Sequence, residues 1–321
     1  MPVVLGYSDY YIAAERLSIK AFVDRLSDEF INDWGKTFVK VPVEREDLID
    51  ILKNTGTQFV GVEDRKNEPE RLRQMVAKYL EDTNTHPDAI DCIIYTRGNP
   101  VVGEVNIPYF LQKEFQINQA LIFGIEQECS ATLLAIKLGQ ALLHEGTARK
   151  VLIISRNIFD SFEKRLMGLF LVSDGFGLLE LSEESSGLTP VDFVSTSNGN
   201  ITKVQDFTLK AAEVVEVGVQ LIRSVLDKNN LTVSDLTLII PQNTNSSGWN
   251  IYMKQLGIVK EQLFLENFGG SGHLGDVDMI RNITDIRQQR RLIPNQLALA
   301  YALGTGTSWN ALLLKMLGNV N

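Results

Sequence analysis

Short, nearly unbroken apolar runs alternate along this chain with longer segments in which apolar residues recur every third or fourth position. The runs are IDCIIYT (Ile90–Thr96), QALIFGI (Gln119–Ile125), KVLIIS (Lys150–Ser155), LTLIIP (Leu236–Pro241) and QLALAYAL (Gln296–Leu303). Strands with so few polar interruptions are covered on both faces. Between them, ERLRQMVAKYLEDT (Glu70–Thr83) and ATLLAIKLGQALLHEG (Ala131–Gly146) carry the apolar stripe of amphipathic helices. The alternation predicts an α/β fold with its sheets enclosed by helical layers.

The pattern also repeats. DAIDCIIY (Asp88–Tyr95) lines up with SDLTLIIP (Ser234–Pro241), and Phe115–Leu134 with Leu256–Gly275. KVLIISRN pairs with LALAYALGTG, and FGLLELS with WNALLLK, in the same order. Matched segments in one order suggest duplication, although chance similarity of two α/β halves is the alternative. The polar stretch Ser182–Gly187 is the natural break, giving halves 1–184 and 185–321. If a pseudo-twofold axis relates them, the corner at Cys129 and the corner Gly270–His273 meet in space.

Composition narrows the function. The chain has 321 residues, 44% hydrophobic and 22% charged, with a net charge of −9. That argues against a binder of nucleic acid through a general basic field, leaving only a local basic patch open. No apolar run reaches the roughly 18 residues of a membrane span, and the start, MPVVLGYSDYYIAAERL, does not read as a signal peptide. Two cysteines form neither a disulfide framework nor a Cys-rich zinc site, which points to a reducing, cytoplasmic compartment. No strand–GxGxxG–helix unit, GxxxxGK[ST] loop or metal-ligand spacing is present, so neither a nucleotide cofactor nor a metal is expected.

Chemistry then rests on few residues. Cys129 follows an apolar strand and opens a helix, where the dipole favours a thiolate; an inert buried cysteine, the reading for Cys92, is the alternative. His273 sits in NFGGSGHLGDVD, a backbone corner, and can take a thiol proton or hold an oxyanion. Asp276 and Asp278 follow it, either fixing its tautomer or complementing a helix dipole. His86 and His144 read as solvated. PQNTNSSGW (Pro241–Trp249) offers amides, Asn245 among them, for a carbonyl or a pantetheine arm, or else caps a helix. The small residues of GTGTSW (Gly304–Trp309) allow the close backbone approach of an oxyanion hole, and SDGFG (Ser173–Gly177) is a similar turn. Phe159, Phe162, Met167 and Phe170, in the apolar insert SRNIFDSFEKRLMGLF, line a pocket or pack a dimer.

These motifs, from TGTQFVGVEDR through QECSATLLAIKLGQALL and FLVSDGFGLLEL to GTGTSWNALLLK, resemble the thiolase-fold ketoacyl-acyl-carrier-protein synthase III-like enzymes and their acyltransferase relatives. The resemblance implies a duplicated five-layer α/β/α/β/α fold, an acylated Cys129 and an oxyanion hole completed by Gly304, Thr305 or Gly306. It implies a donor that is an acyl carrier protein or coenzyme A thioester, and a homodimer, or a heterodimer with a sibling chain. Condensing members carry a histidine in a PHQAN-type motif and an asparagine in a GNTS-type motif. Here Gln242 stands in place of that histidine, and Phe268–His273 lacks the asparagine. GHLGDVDMIRN is similar instead to a branch with a GHxxxxD…N pattern, matched by His273, Asp278 and Asn282. That branch moves acyl groups onto alcohols or amines in specialised metabolism. The expectation is therefore an acyltransferase, with Gln242 and Asn245 placing the thioester arm. The alternatives are a decarboxylative condensing enzyme and a non-catalytic partner subunit. Lys254, or Arg287 with Arg290 and Arg291, would meet an acidic carrier protein, unless these are simply solvated helix faces.

Overall fold

The computed structural model describes residues 1–97, 106–203, 207–244, 248–305 and 307–318. In chain order the N-terminal half contains β1 (Val3–Ile12), β2 (Glu15–Ser18), α1 (Ile19–Val23), α2 (Asp28–Phe38), α3 (Arg45–Asn54), β3 (Phe59–Val62), α4 (Glu68–Thr83), β4 (Cys92–Arg97), α5 (Ile107–Glu114), β5 (Leu121–Ile125), α6 (Ala131–His144), β6 (Lys150–Asn157), the short β7 (Leu166–Met167) and β8 (Phe170–Leu171), and β9 (Gly175–Glu183). Then follow β10 (Gly187–Ser197), α7 (Phe207–Lys228), β11 (Leu236–Ile240), α8 (Trp249–Leu256), α9 (Val277–Gln288), β12 (Leu297–Gly304) and β13 (Ser308–Leu317). Among the described residues, no helix is long and apolar enough to cross a membrane.

One sheet runs through the molecule in the order β11-β12-β13-β10-β1-β9-β6-β4-β5. Its two ends are built alike. On one side β1 pairs antiparallel with β9, β9 antiparallel with β6, and β6 and β5 both flank β4 in parallel. On the other side β10 pairs antiparallel with β13, β13 antiparallel with β12, and β12 parallel with β11. The partner of β5 has shrunk to a single parallel bridge, Ile239 with Leu263. The halves join where Leu5 of β1 meets Leu188 of β10. The matched segments in the sequence are thus the repeated strands of a duplicated fold.

The strand period of two explains the layering. Cys92 and Ile94 of β4, Val151 and Ile153 of β6, and Leu179 and Leu181 of β9 point into a central core with Leu238, Ile240, Ala298, Ala300, Leu312 and Leu314 from the other half. Leu133, Ile136, Met279 and Ile283, from α6 and α9, fill the space between. The alternate residues point outward. Ile93, Leu152 and Leu178 meet α4 and α5 through Leu72, Val76 and Leu111. Ile239, Leu299 and Leu313 meet α7 and α8 through Val219, Ile222 and Trp249. The result is five layers, helix–sheet–helix–sheet–helix. Gly139 lets α6 lie directly on β9, because a Cβ there would come 2.5 Å from Leu181 Cδ1. A fourth core, formed by Phe22, Leu48, Leu52 and Val60 with Leu166 and Leu171, makes a lobe of β2, β3, α1–α3 and the β7–β8 hairpin. Sequence periodicity did not single out this lobe.

Central position has a cost for α9. Every residue from Val277 to Ile286 is buried, including Asp278, Arg281, Asn282 and Asp285. Buried polar groups persist only when hydrogen-bonded, and the partners they find build the site.

Candidate active site

Cys129 lies in a single tight turn, Glu128–Ser130, between the end of β5 and the start of α6. Glu128 takes φ +48°, the left-handed region, so the chain bends sharply just before the thiol. The opposite half holds the turn in place. Asn310 Nδ2 donates to Ser130 O at 2.9 Å and to Gln127 Oε1 at 2.7 Å. The Ser130 and Ser308 hydroxyls meet at 3.0 Å, and Gln242 Nε2 donates to Cys129 O at 2.5 Å. Gly304 closes the approach, since a Cβ on it would come 2.5 Å from Gln127 O and 2.9 Å from Ser130 Oγ.

His273 arrives from the other half on an extended segment sewn between two strand ends. Its N–H donates to Leu171 O at 2.8 Å, and its carbonyl accepts from Ser173 N at 2.8 Å. On the far side Gly272 N donates to Phe59 O at 3.0 Å. The imidazole is 1% exposed and lies edge-on to Phe170, with ring centroids 5.5 Å apart. Its Nδ1 sits 2.5 Å from Asp278 Oδ2, and the ring lies close enough to the Cys129 sulfur to feel its charge. With Nδ1 on Asp278, Nε2 is the nitrogen that faces sulfur. Burial, the largest single effect, works against the charged ring; the neighbouring Asp278 carboxylate and Cys129 sulfur together outweigh it and push the imidazole up to about 10. Asp278 is fixed in turn, accepting from Asn243 N at 2.7 Å and from Leu274 N at 3.0 Å. The structure therefore brings Cys129, His273 and Asp278 into one chain of contacts, at the meeting of the two halves.

Other candidates take different places. Asp276 faces hydroxyls, not His273: Thr132 Oγ1 donates to its Oδ2 at 3.3 Å, beside Ser155 and Thr96. Burial, eased by those hydroxyls, raises its carboxyl to about 7. Gln242 is tied to backbone: besides donating to Cys129 O, its Oε1 accepts from Leu303 N at 2.8 Å, and the residue is only 5% exposed. Asn282 braces the same loop, donating to Pro241 O at 2.8 Å and accepting from Asn243 and Asn267. Gly304 and Thr305 begin the turn after β12, and Thr305 is exposed with φ +36°. Asn245 and Gly306 lie outside the described residues.

The remaining readings sort in the same way. Cys92 is fully buried and burial pushes its thiol up to about 12, the behaviour of an inert core cysteine. His86 and His144 are exposed. Asp174 of SDGFG is bound through both oxygens by Arg165 at 2.6 and 2.7 Å, tying down the 158–171 insert. Within that insert Phe170 reaches His273, whereas Phe162 packs on Phe22 in the lobe core. Lys254 is exposed, but Arg287 is drawn to the Gly6 carbonyl and Arg291 to Glu266. Ser130, Ser308, Asn310 and Gln127 were not anticipated. Nothing in a lone serine or asparagine marks it as a brace for a turn far away in sequence.

Comparison with known proteins agrees with this fold. Residues 226–316 match the family model of the 3-oxoacyl-[acyl-carrier-protein] synthase III C terminal. The beta-ketoacyl-[acyl-carrier-protein] synthase III of Clostridium tetani is 24% identical, over 88% of this chain and 96% of its own length. Among solved structures, OleA of Xanthomonas campestris with bound lauric acid and lauroyl-CoA superposes with a TM-score of 0.81 at 13% identity, covering 98% of this chain and 99% of that one. The 3-oxoacyl-[acyl-carrier-protein] synthase III of Aquifex aeolicus superposes with a TM-score of 0.78 at 18% identity, covering 98% and 99%. With its duplicated five-layer fold and its cysteine and histidine contributed by opposite halves, the chain shares the thiolase-like fold of these structures and is similar in sequence to the ketoacyl-acyl-carrier-protein synthase III enzymes.

Proposed function

We propose that the protein is an acyltransferase working through an acyl-Cys129 intermediate. The observation that carries this is the Cys129–His273–Asp278 chain of contacts, in which buried His273 is, among the described residues, the protonatable partner of the sulfur while Gln242 is spent on backbone. Cys129 Sγ attacks the carbonyl of an acyl carrier protein or coenzyme A thioester while the proton that the pair shares is held on His273 Nε2. The N–H of Cys129 and those of the turn from Gly304 onward hold the oxyanion. The carrier sulfur leaves with the proton from His273. An alcohol or amine then gives its proton to His273 and attacks the acyl-cysteine, and that proton returns to the Cys129 sulfur as it leaves. No step requires the pair of side-chain donors that holds a decarboxylated enolate.

A homodimer fits the same reading. β5 is an edge strand, with Leu121 47% exposed and Gly124 open beside it. Such an edge invites pairing with a second copy.

Condensation is the second reading, favoured by the names of the curated relatives. Intact-protein mass spectrometry with acyl-CoA and acyl-carrier-protein donors separates the two. The expected result is one acyl mass per chain, absent in Cys129→Ala and discharged by an alcohol or amine. Labelled CO₂ released from a carboxyl-labelled malonyl thioester supports condensation instead, and no mass gain with any donor rejects both.

A further inference from the structure

Three backbone segments meet at Cys129: its own turn after β5, the loop after β11 and the start of the β12–β13 turn. One side chain touches all three. Gln242 leaves the β11 loop, donates through Nε2 to Cys129 O at 2.5 Å, and accepts through Oε1 from Leu303 N at 2.8 Å. A carboxamide is the group that offers one donor and one acceptor at a fixed spacing. The glutamine is 5% exposed, so water does not compete for either bond.

Resting on the acyl-transfer reading above, we propose that Gln242 is the positioning residue of the oxyanion hole: its amide sets the gap between the Cys129 turn and the Gly304–Thr305 turn. Two further features make that gap critical. Leu303 directly precedes Gly304, whose Cα lies so near the Cys129 turn that even a methyl group does not fit. Asn310 and Ser308 brace Gln127 and Ser130, on either side of the cysteine, and leave Cys129 itself to Gln242. An oxyanion hole depends on donors placed within a few tenths of an ångström of the developing charge. Fixing the carbonyl of Cys129 and the N–H of Leu303 to one rigid amide fixes the peptide planes next to them, which carry the donating N–H groups.

The test uses Gln242→Met, which keeps length and apolar bulk but removes both bonds, and Gln242→Glu, which keeps the acceptor and loses the donor. Two reactions of Cys129 are compared in each full-length variant. Acylation by p-nitrophenyl butyrate passes through a tetrahedral oxyanion and does not depend on the natural donor. Alkylation by iodoacetamide uses the same sulfur and the same histidine but forms no oxyanion. The expected result is that acylation falls by on the order of 10²-fold in Gln242→Met, while alkylation stays within about threefold of the parent, with Gln242→Glu no better than Gln242→Met. Equal losses in both reactions, or no loss in either, overturn the proposal. So does an unmodified protein that p-nitrophenyl butyrate acylates no faster than it acylates Cys129→Ala. If the unmodified protein reacts with the ester and shows the split, yet takes no acyl group from any coenzyme A or carrier-protein thioester, the oxyanion role stands and the choice of donor falls.

Discussion

Replacing Asp278 with asparagine tests whether a buried carboxylate keeps His273 protonated. Two unit charges about 4 Å apart at an effective dielectric of about 20 attract by roughly 4 kcal/mol, or about three pH units. The imidazole rises further, from 6.5 to about 10 and against burial, because the Cys129 sulfur adds to the pull of the carboxylate. The sign follows from linkage. The native state keeps a proton that the unfolded chain releases near 6.5, so the stabilisation is complete below that pH and is lost as pH rises through about 10. Asparagine removes the charge but not the burial. It also turns an amide N–H₂ toward one of the three donors that Asp278 now accepts, His273, Asn243 N and Leu274 N, at a cost of about 1–3 kcal/mol. Thermal midpoints measured from pH 6 to 10 should therefore fall less steeply in Asp278→Asn than in the parent, from a lower start. Acylation at neutral pH should drop by about 10²–10⁴-fold. Parallel midpoint curves together with acylation within threefold would refute the ion-pair reasoning.

Three further outcomes follow from the same contacts. In Gly304→Ala the new methyl meets Gln127 O, Ser308 Oγ and Ser130 Oγ. Acylation should fall at least about tenfold, with about 1–3 kcal/mol of stability lost in urea melts; parent-like values in both would show that the turn has slack. Asp276, raised to about 7 by burial, holds a native-state proton that the unfolded chain gives up near 3.8, so its ionisation lowers stability as pH rises from about 4 to 7. Asp276→Asn should gain on the parent over that interval and acylate within about threefold of it, whereas a loss like that of Asp278→Asn would place Asp276 in the proton path. Leu121→Lys puts a charge on the exposed β5 edge and should convert dimer to monomer by light scattering; an unchanged mass would move the interface elsewhere.

Much of this architecture was legible because strand and helix periods are local. The runs at Ile90–Thr96, Lys150–Ser155, Leu236–Pro241 and Gln296–Leu303 are β4, β6, β11 and β12 within a residue or two, and their repetition is what points to Cys129 and His273 facing each other. Asp278 was distinguishable from Asp276 only by resemblance. Helical geometry decides between them, because Asp276 is the N-cap residue of α9 and Asp278 lies in its first turn, so they point to different neighbours. The two backbone bonds of Gln242 are not legible in the sequence, because a side chain at a strand end faces either a ligand or the adjacent backbone and local sequence does not distinguish the two. The bracing by Ser308 and Asn310 spans about 180 residues and leaves no local pattern at all. Leu263 shows the converse: a run that matched β5 in sequence keeps only one bridge.

The most direct test is the single-turnover rate at which an acyl thioester loads Cys129, read by intact mass in the parent, His273→Ala and His86→Ala. His273 is buried against the sulfur and His86 stands in solvent. The prediction is one acyl group per chain in the parent, loading slowed by at least about 10²-fold in His273→Ala, and no change in His86→Ala. Equal rates in all three proteins would contradict the pairing of Cys129 with His273.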